Sequence, residues 1–131
     1  MAARRPSILV VEDTAAIRLS VAAFLESRGF SVTEAENGRG AVRALDRRGF
    51  DLIVTDVLMP EMDGIELIKA VRASRPEAKI LAMSGGAPGL PAGFLLKMTE
   101  MFAADAILYK PFRNEELEAA VERLLGRLPP N

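Results

Sequence analysis

Short, unbroken apolar runs alternate along the chain with longer segments in which apolar residues recur every three or four positions. Apolar runs of this length are typical of parallel strands that are buried on both faces. The run at residues 31–35 is half polar and therefore suits the edge of a sheet. The pattern predicts five strands, at residues 7–11, 31–35, 52–55, 79–83 and 106–109.

The segments between the runs carry the signals of helices. In the first segment, apolar residues keep helical spacing from Ile17 onward, Asp13 or Thr14 can cap the start, and Gly29 can close the end in a left-handed conformation. The remaining helices are predicted from Asn37 to near Gly49, at about 65–74, at about 94–102 after a Gly- and Pro-rich loop, and in a last segment capped by Asn114.

Five strands that alternate with five helices predict a doubly wound α/β sandwich with right-handed crossovers. Five-stranded parallel sheets of this kind commonly have the flavodoxin-like order 2-1-3-4-5, which places the chain reversal between strands one and three. A chain of 131 residues has room for one domain. We expect residues 1–131 to form that domain, with a core over about 7–126 and a tail at 127–131.

Charged and polar side chains follow the strands at one common end. Glu12 and Asp13 follow the first strand, and Asp56 follows the third. Ser84 and Lys110 follow the fourth and fifth strands. Because parallel strands end at the same edge of the sheet, these five side chains are expected in one crevice. Three clustered carboxylates repel one another unless a cation lies among them, so the pattern predicts a site for Mg²⁺, which prefers oxygen ligands.

This set of groups is suited to handling a phosphoryl group. A divalent cation and the Lys110 ammonium can neutralise the charge that develops on phosphoryl oxygens, and the Ser84 hydroxyl can donate a hydrogen bond to one of them. A carboxylate can itself be the nucleophile and form an aspartyl phosphate.

Composition removes several other kinds of chemistry. The chain has neither cysteine nor histidine, which excludes disulfides, Ser-His and Cys-His nucleophilic machinery and the usual zinc ligand sets. The formal net charge is −1 with basic residues spread along the sequence, so no electrostatic footprint for nucleic acid or an anionic membrane is present. No apolar stretch approaches the length of a membrane span. We expect a cytoplasmic protein that contacts neither nucleic acid nor membrane.

Single motifs also have simpler interpretations. Glu12 and Asp13 alone could be a solvated strand end followed by a helix cap, and Ser84 with the two glycines after it could be a plain turn. The same glycine-rich stretch could be a phosphate cradle, but it lacks the Lys-Ser/Thr ending of a P-loop. The presence of Asp56 and Lys110 favours the functional interpretation of the acidic pair.

Five motifs in order carry a family resemblance over essentially the whole chain. The sequence resembles the receiver domain of bacterial two-component response regulators in Val10-Val11-Glu12-Asp13, in Thr55-Asp56-Val57-Leu58-Met59-Pro60, in the following Asp63-Gly64, in Ser84 and in Lys110-Pro111-Phe112. The resemblance implies a signalling phosphoprotein that takes a phosphoryl group from a sensor histidine kinase or a histidine phosphotransfer protein, rather than an enzyme.

The resemblance also implies roles for individual residues. It makes Asp56 the phosphoacceptor, Ser84 the switch hydroxyl and Lys110 the phosphate-binding cation. It also implies a cis peptide bond between Lys110 and Pro111. The Mg²⁺ ligands that it implies are Glu12, Asp13, Asp56 and the backbone carbonyl of Leu58.

Two departures from the family fall where it transmits its signal. The family often has an aromatic residue three positions before the lysine, and here that position is Ile107. Tyr109, which precedes the lysine, is expected on the opposite face of the strand from Lys110. The stretch from Ser84 to Lys110 is also longer than usual, with residues 87–91 as the expected insertion.

Two rival functions remain open at this stage. One is an interaction module of the same fold that signals without phosphorylation, although no acidic or lysine position is missing. The other is an aspartate-nucleophile phosphatase, a class that usually has a second carboxylate two residues after the nucleophile, where this chain has Leu58. For a receiver, output is expected through an unidentified downstream protein. Formation of a homodimer is left open.

Overall fold

The computed structural model describes residues 5–57, 64–85 and 104–126. The described strands are β1 (Ser7–Val11), β2 (Ser31–Ala35), β3 (Leu52–Asp56), β4 (Lys79–Ser84) and β5 (Ala106–Tyr109). The described helices are α1 (Ala15–Ser27), α2 (Gly38–Arg47), α3 (Gly64–Ser74) and α4 (Asn114–Leu125). The helix predicted at 94–102, the expected insertion at 87–91 and the tail at 127–131 lie outside the described residues.

The strands form one parallel sheet in the order β2-β1-β3-β4-β5, as the sequence predicted. The half-polar strand β2 lies at an edge, where one side of a strand needs no partner. The chain reverses between β1 and β3, which are paired from Ile8 with Leu52 to Val11 with Thr55. This reversal opens a crevice at the carboxyl ends of the strands.

Alternate strand residues feed two separate cores, one on each face of the sheet. On one face Val21 of α1 and Val121 of α4 pack on Ile8, Val54 and other strand residues. On the other face, α2 and α3 cover the remaining alternate residues of the strands, including Leu9, Ile53 and Ile80. The four apolar residues of β1 are fully buried, which explains why that strand has no polar alternation.

The C-terminal end of α1 and the N-terminal end of α2 follow their predicted signals. Gly29 has a φ of 96°, and its N–H donates to the carbonyl of Glu26 at 3.0 Å. The N–H of Phe30 donates to the carbonyl of Leu25 at 3.2 Å, which completes a Schellman motif. At the start of α2, the Asn37 side chain accepts the N–H of Gly40 at 2.8 Å.

Other element ends differ from the prediction. Asn114 does not cap the last helix, because it is already the first helical residue and Arg113 occupies the cap position. The Glu116 carboxylate accepts the backbone N–H of Arg113 at 3.1 Å and so provides the capping contact from inside the helix. Helix α2 stops at Arg47 rather than near Gly49, because Arg48 is extended and its guanidinium donates to the Ser7 hydroxyl at 2.7 Å.

Within the described residues, no helix combines the length and the apolar character that crossing a membrane requires.

Candidate metal centre

Successive strands end at nearly the same level, and this brings the predicted side chains together. Asp56 and Ser84 are the last residues of β3 and β4, one residue further into each strand than the sequence predicted. In the register of the sheet, Asp56 lies beside Met83 and Ser84 lies beside Tyr109. Glu12 directly follows the central strand β1, and Lys110 directly follows the edge strand β5, so all these residues lie at the carboxyl-terminal edge of the sheet.

The three acidic residues form a compact oxygen cluster. One carboxylate oxygen from each of Glu12, Asp13 and Asp56 lies within 4.8 Å of the other two. Glu12 is fully buried and Asp56 is 7% exposed, whereas Asp13 is exposed. Water can therefore solvate only part of the charge, and the remainder needs a positive partner.

Lys110 supplies one such partner from the opposite side. Its ammonium nitrogen lies 2.5 Å from Oε1 of Glu12 and 3.3 Å from Oδ2 of Asp56. Burial by itself lowers the pKa of the Lys110 amine, but the hydrogen bond to Glu12 and the charges of Asp56 and Glu12 outweigh it, so the pKa lies above its ordinary value. The lysine therefore carries its positive charge at the crevice under ordinary conditions.

The surroundings of Asp13 disfavour its charged form, whereas those of Lys110 favour the charged amine. Partial loss of hydration raises the pKa of this carboxyl, and the hydrogen bond and negative charge of Glu12 raise it further, against the smaller lowering effect of Lys110. The charged form of Asp13 is thus disfavoured in the protein without a cation. A cation bound between the carboxylates would relieve this repulsion.

Glu12 is held at every polar atom. Its backbone N–H donates to the carbonyl of Ala35 at 3.1 Å, and its carbonyl accepts from Nη1 of Arg18 at 2.9 Å. Its Oε2 accepts the backbone N–H of Thr14 at 3.0 Å, while Oε1 accepts from Lys110. Thr14 occupies the cap position of α1 without a capping bond from its own side chain, and the Glu12 carboxylate satisfies the backbone N–H of this cap residue.

The Ser84 hydroxyl is a buried polar group that lacks a partner. The residue is 3% exposed, and nothing among the described residues makes a hydrogen bond to its Oγ. Its carbonyl accepts the backbone N–H of Lys110 at 2.8 Å, which ties the end of β4 to the lysine. A buried hydroxyl without a partner is costly, so its position at the crevice suits an oxygen-rich ligand.

The residues present fit a hard divalent cation. Three carboxylates within reach of one another supply oxygen ligands of the kind that Mg²⁺ prefers, and the sequence has no cysteine thiolate or histidine imidazole to compete with them. The predicted fourth ligand, the backbone carbonyl of Leu58, lies outside the described residues.

The surroundings of Lys110 also match the predictions. The Lys110–Pro111 peptide bond is cis. Ile107 packs on Ala82 and on Val57, the residue that directly follows Asp56, in a small apolar cluster. Tyr109 is 45% exposed. Ile107 therefore occupies the position of the family's aromatic residue without a ring, and Tyr109 does not replace it.

An apolar cavity of about 570 Å³ opens beside the crevice, between α1 and the turn after β5. Ile17 and Val21 form one wall, and Lys110, Pro111 and Phe112 form the other. The sequence analysis did not identify this cavity. It also missed Arg18, whose only signal is its place one helical turn after Thr14.

Comparison with known proteins agrees with this geometry. The family model of the response regulator receiver domain matches residues 8–122. The response regulator receiver protein CpdR of Brucella abortus is 35% identical over 119 residues, which cover 90% of this chain and 95% of CpdR. The sensor kinase CckA of the same organism is 36% identical over 126 residues, which cover 92% of this chain but 13% of CckA.

The fold is also found among solved structures. The chemotaxis protein CheY4 of Vibrio cholerae superimposes with a TM-score of 0.86 at 31% sequence identity, covering 93% of this chain and 100% of CheY4. A CheY-like receiver domain protein from Methanospirillum hungatei superimposes with the same TM-score at 26% identity, over 94% of this chain and 95% of that protein.

Proposed function

The chain belongs to the response regulator receiver domain family of two-component signalling, and from this premise we propose that it is phosphorylated on Asp56 in a Mg²⁺-dependent reaction. The observation that carries the proposal is the position of the Asp56 carboxylate, which lies within 4.8 Å of carboxylate oxygens of two further acids and has its Oδ2 3.3 Å from the Lys110 ammonium nitrogen. A carboxylate flanked in this way is at once a nucleophile and the centre of a site for a doubly charged anion.

Each residue of the crevice has a defined task in this proposal. An oxygen of Asp56 attacks the phosphorus atom, a P–O bond forms, and the bond between phosphorus and the donor's leaving group breaks with its electron pair. Lys110 neutralises charge on the transferred group, and Ser84, whose hydroxyl has no partner among the described residues, donates to a phosphoryl oxygen.

Glu12, Asp13, Asp56 and the backbone carbonyl of Leu58 would hold the Mg²⁺ ion. When bound, the ion offsets the repulsion between the carboxylates and the incoming phosphoryl oxygens. Because Glu12 and Lys110 already form an ion pair, the two groups reach the crevice in a fixed relative position rather than as independent side chains.

The donor histidine must lie outside this sequence. A phosphohistidine cannot arise within this sequence, which contains no histidine. The similarity to a segment of a sensor kinase and to a stand-alone receiver supports a histidine kinase or a histidine phosphotransfer protein as the partner. The output would then pass to a downstream protein through contacts that change on phosphorylation.

Turnover as a phosphatase is disfavoured by the residue two positions after Asp56. Leu58 has no group that can act as a general acid or base. We therefore infer that the chain is a phosphoacceptor, with at most slow loss of its own phosphoryl group.

The proposal predicts the outcome of labelling with acetyl phosphate in Mg²⁺ buffer, followed by intact mass and peptide mass spectrometry. The wild type should gain one phosphoryl group, and Asp56→Asn and Asp13→Asn should each abolish the gain, because one lacks the nucleophile and the other a cation ligand. Asp46→Asn, at an exposed acid of α2, is the matched control and should be labelled like the wild type. Labelling of another residue in Asp56→Asn would refute the assignment.

A further inference from the structure

Arg18 joins three parts of the molecule next to the acidic cluster. From α1, its Nη1 donates to the carbonyl oxygen of Glu12 at 2.9 Å, and its Nε lies 3.3 Å from Oε1 of Glu34 on β2. The side chain is only 15% exposed, so these contacts are partly shielded from water. The guanidinium therefore connects the start of α1 and the edge strand to the end of β1.

The atom that Arg18 contacts belongs to the peptide that links the two acids. A peptide unit is planar, so the direction of the Glu12 carbonyl sets the orientation of the whole link between Glu12 and Asp13. The paired register of β1 with β3 ends at Val11, and the Glu12 carbonyl lies beyond that ladder. A single hydrogen bond at this place constrains the directions in which both carboxylates leave the backbone.

The contact depends on the shape of the guanidinium. Its rigid fork can hold the Glu34 carboxylate through one nitrogen and the Glu12 carbonyl through another. A lysine at the same position could reach one of the two but has no fixed geometry that joins them. Glu34 anchors the fork, and Glu12 and Asp13 are positioned by it.

We propose that Arg18 is a positioning residue for the Mg²⁺ ligands Glu12 and Asp13. This inference rests on the proposed function, because it assumes that the acidic cluster binds Mg²⁺. Arg18 contacts neither the ion nor the phosphoryl group, and it acts by holding the Glu12–Asp13 peptide in the orientation that presents both carboxylates together. Outer partners of this kind commonly contribute to metal affinity through the ligands that they orient.

The test is a Mg²⁺ titration of Arg18→Gln and Arg18→Lys against the wild type, by calorimetry and by the fluorescence of Tyr109. Tyr109 is the one tyrosine of a sequence without tryptophan, so a change in emission can be assigned to this single position next to Lys110. We expect Arg18→Gln to weaken Mg²⁺ binding by about tenfold, the lower end of the effect of outer partners. Arg18→Lys should fall between it and the wild type. Labelling by acetyl phosphate should recover at saturating Mg²⁺.

The direction of the change separates positioning from simple electrostatics. Loss of a positive charge by itself would strengthen the binding of a divalent cation, so an affinity that is unchanged or higher in Arg18→Gln overturns the proposal. If Arg18→Gln does not fold, wild-type affinity in Arg18→Lys has the same meaning. A wild type that does not bind Mg²⁺ would instead refute the metal site, and this inference with it.

Arg28→Gln is the matched control for general destabilisation. Arg28 lies directly after the same helix and pairs with Glu118 of α4 at 2.7 Å, at the opposite end from the acidic cluster. This variant should lower the thermal midpoint without changing the Mg²⁺ affinity. An equal loss of Mg²⁺ affinity in Arg18→Gln and Arg28→Gln would show that the effect follows stability rather than position, and would overturn the proposal.

Discussion

Two single residues are expected to control how long phosphorylated Asp56 survives. Hydrolysis needs a water in line with the phosphorus, and the family positions that water with polar side chains two residues after the acceptor and two after the switch hydroxyl. In this chain those positions are Leu58 and Gly86, which lie outside the described residues. Neither residue has a side-chain donor or acceptor with which to orient a water.

We therefore expect a phosphorylated form that is long-lived for a receiver domain. The measurement is the decay of labelled protein in Mg²⁺ buffer, for the wild type and for Leu58→Asn combined with Gly86→Glu. The double substitution should accelerate the decay, because it restores polar groups at both positions. A decay that is unchanged or slower would contradict the argument from water positioning.

Single residues also explain why the site differs from a set of solvated acids. Glu12 is fully buried, yet each of its polar atoms has a partner among Ala35, Thr14, Arg18 and Lys110. Ser84 is nearly as buried and has no hydroxyl partner in the described structure. The hydrogen-bonding groups of Glu12 are therefore satisfied within the protein, whereas the hydroxyl of Ser84 would find its partner in the ligand.

At the scale of elements, α1 and α2 start in different ways. The Asn37 side chain caps α2 through the N–H of Gly40, whereas Thr14 stands at the start of α1 without a side-chain capping bond. Asn37→Ala should therefore lower the free energy of unfolding by about 1 kcal/mol, the usual contribution of a cap. Thr14→Ala is the matched control and should change the free energy of unfolding much less.

Urea denaturation followed by circular dichroism measures both variants. A loss in Thr14→Ala as large as that in Asn37→Ala would mean that the threonine hydroxyl stabilises α1 in a way that its contacts do not explain. The difference matters for the site, because the start of α1 is held through Glu12. A hydrogen bond from Thr14 to the Glu12 carboxylate thus joins α1 to the acidic cluster, whereas the cap of α2 involves no residue of the cluster.

At the scale of the whole molecule, we expect the acidic cluster to make stability depend on cations. A ligand that binds only the folded state stabilises it by mass action, by about 1.4 kcal/mol at ten times its dissociation constant. For a domain of this size, the thermal midpoint should rise by about 4 to 6 °C. Differential scanning fluorimetry with and without MgCl₂ measures the shift, with NaCl at equal ionic strength as the control.

Asp13→Asn should change both the baseline and the response. Because Glu12 and partial desolvation raise the pKa of Asp13, its charged form is disfavoured in the fold, and the neutral amide should raise the midpoint without Mg²⁺. The same variant should lose most of the rise with Mg²⁺, because a ligand is missing. A full Mg²⁺ response in Asp13→Asn would place the ion elsewhere.

The sequence by itself determined the fold class and the described strands and helices, and it predicted which acidic side chains and which lysine lie together. Runs such as Ile8–Val11 are short and rich in β-branched residues, which favours a strand covered on both faces over a segment of buried helix. Acids that follow two such strands must meet when the strands are parallel and adjacent. Local signals were less decisive at element ends, where Asn114 was predicted as a cap that Arg113 and Glu116 provide instead.

Only the tertiary structure decided how the site residues are paired. Lys110 is 98 residues from Glu12 along the chain, and their ion pair depends on the register of β1, β3, β4 and β5 and on the turn after β5. The link from Arg18 to both the Glu12 carbonyl and Glu34 likewise depends on how α1 packs against β1 and β2. Such contacts arise from the relative placement of whole elements, which short-range sequence patterns do not encode. They decide that Glu12 is buried with its polar atoms paired, that Asp13 is exposed, and that the Ser84 hydroxyl has no partner among the described residues.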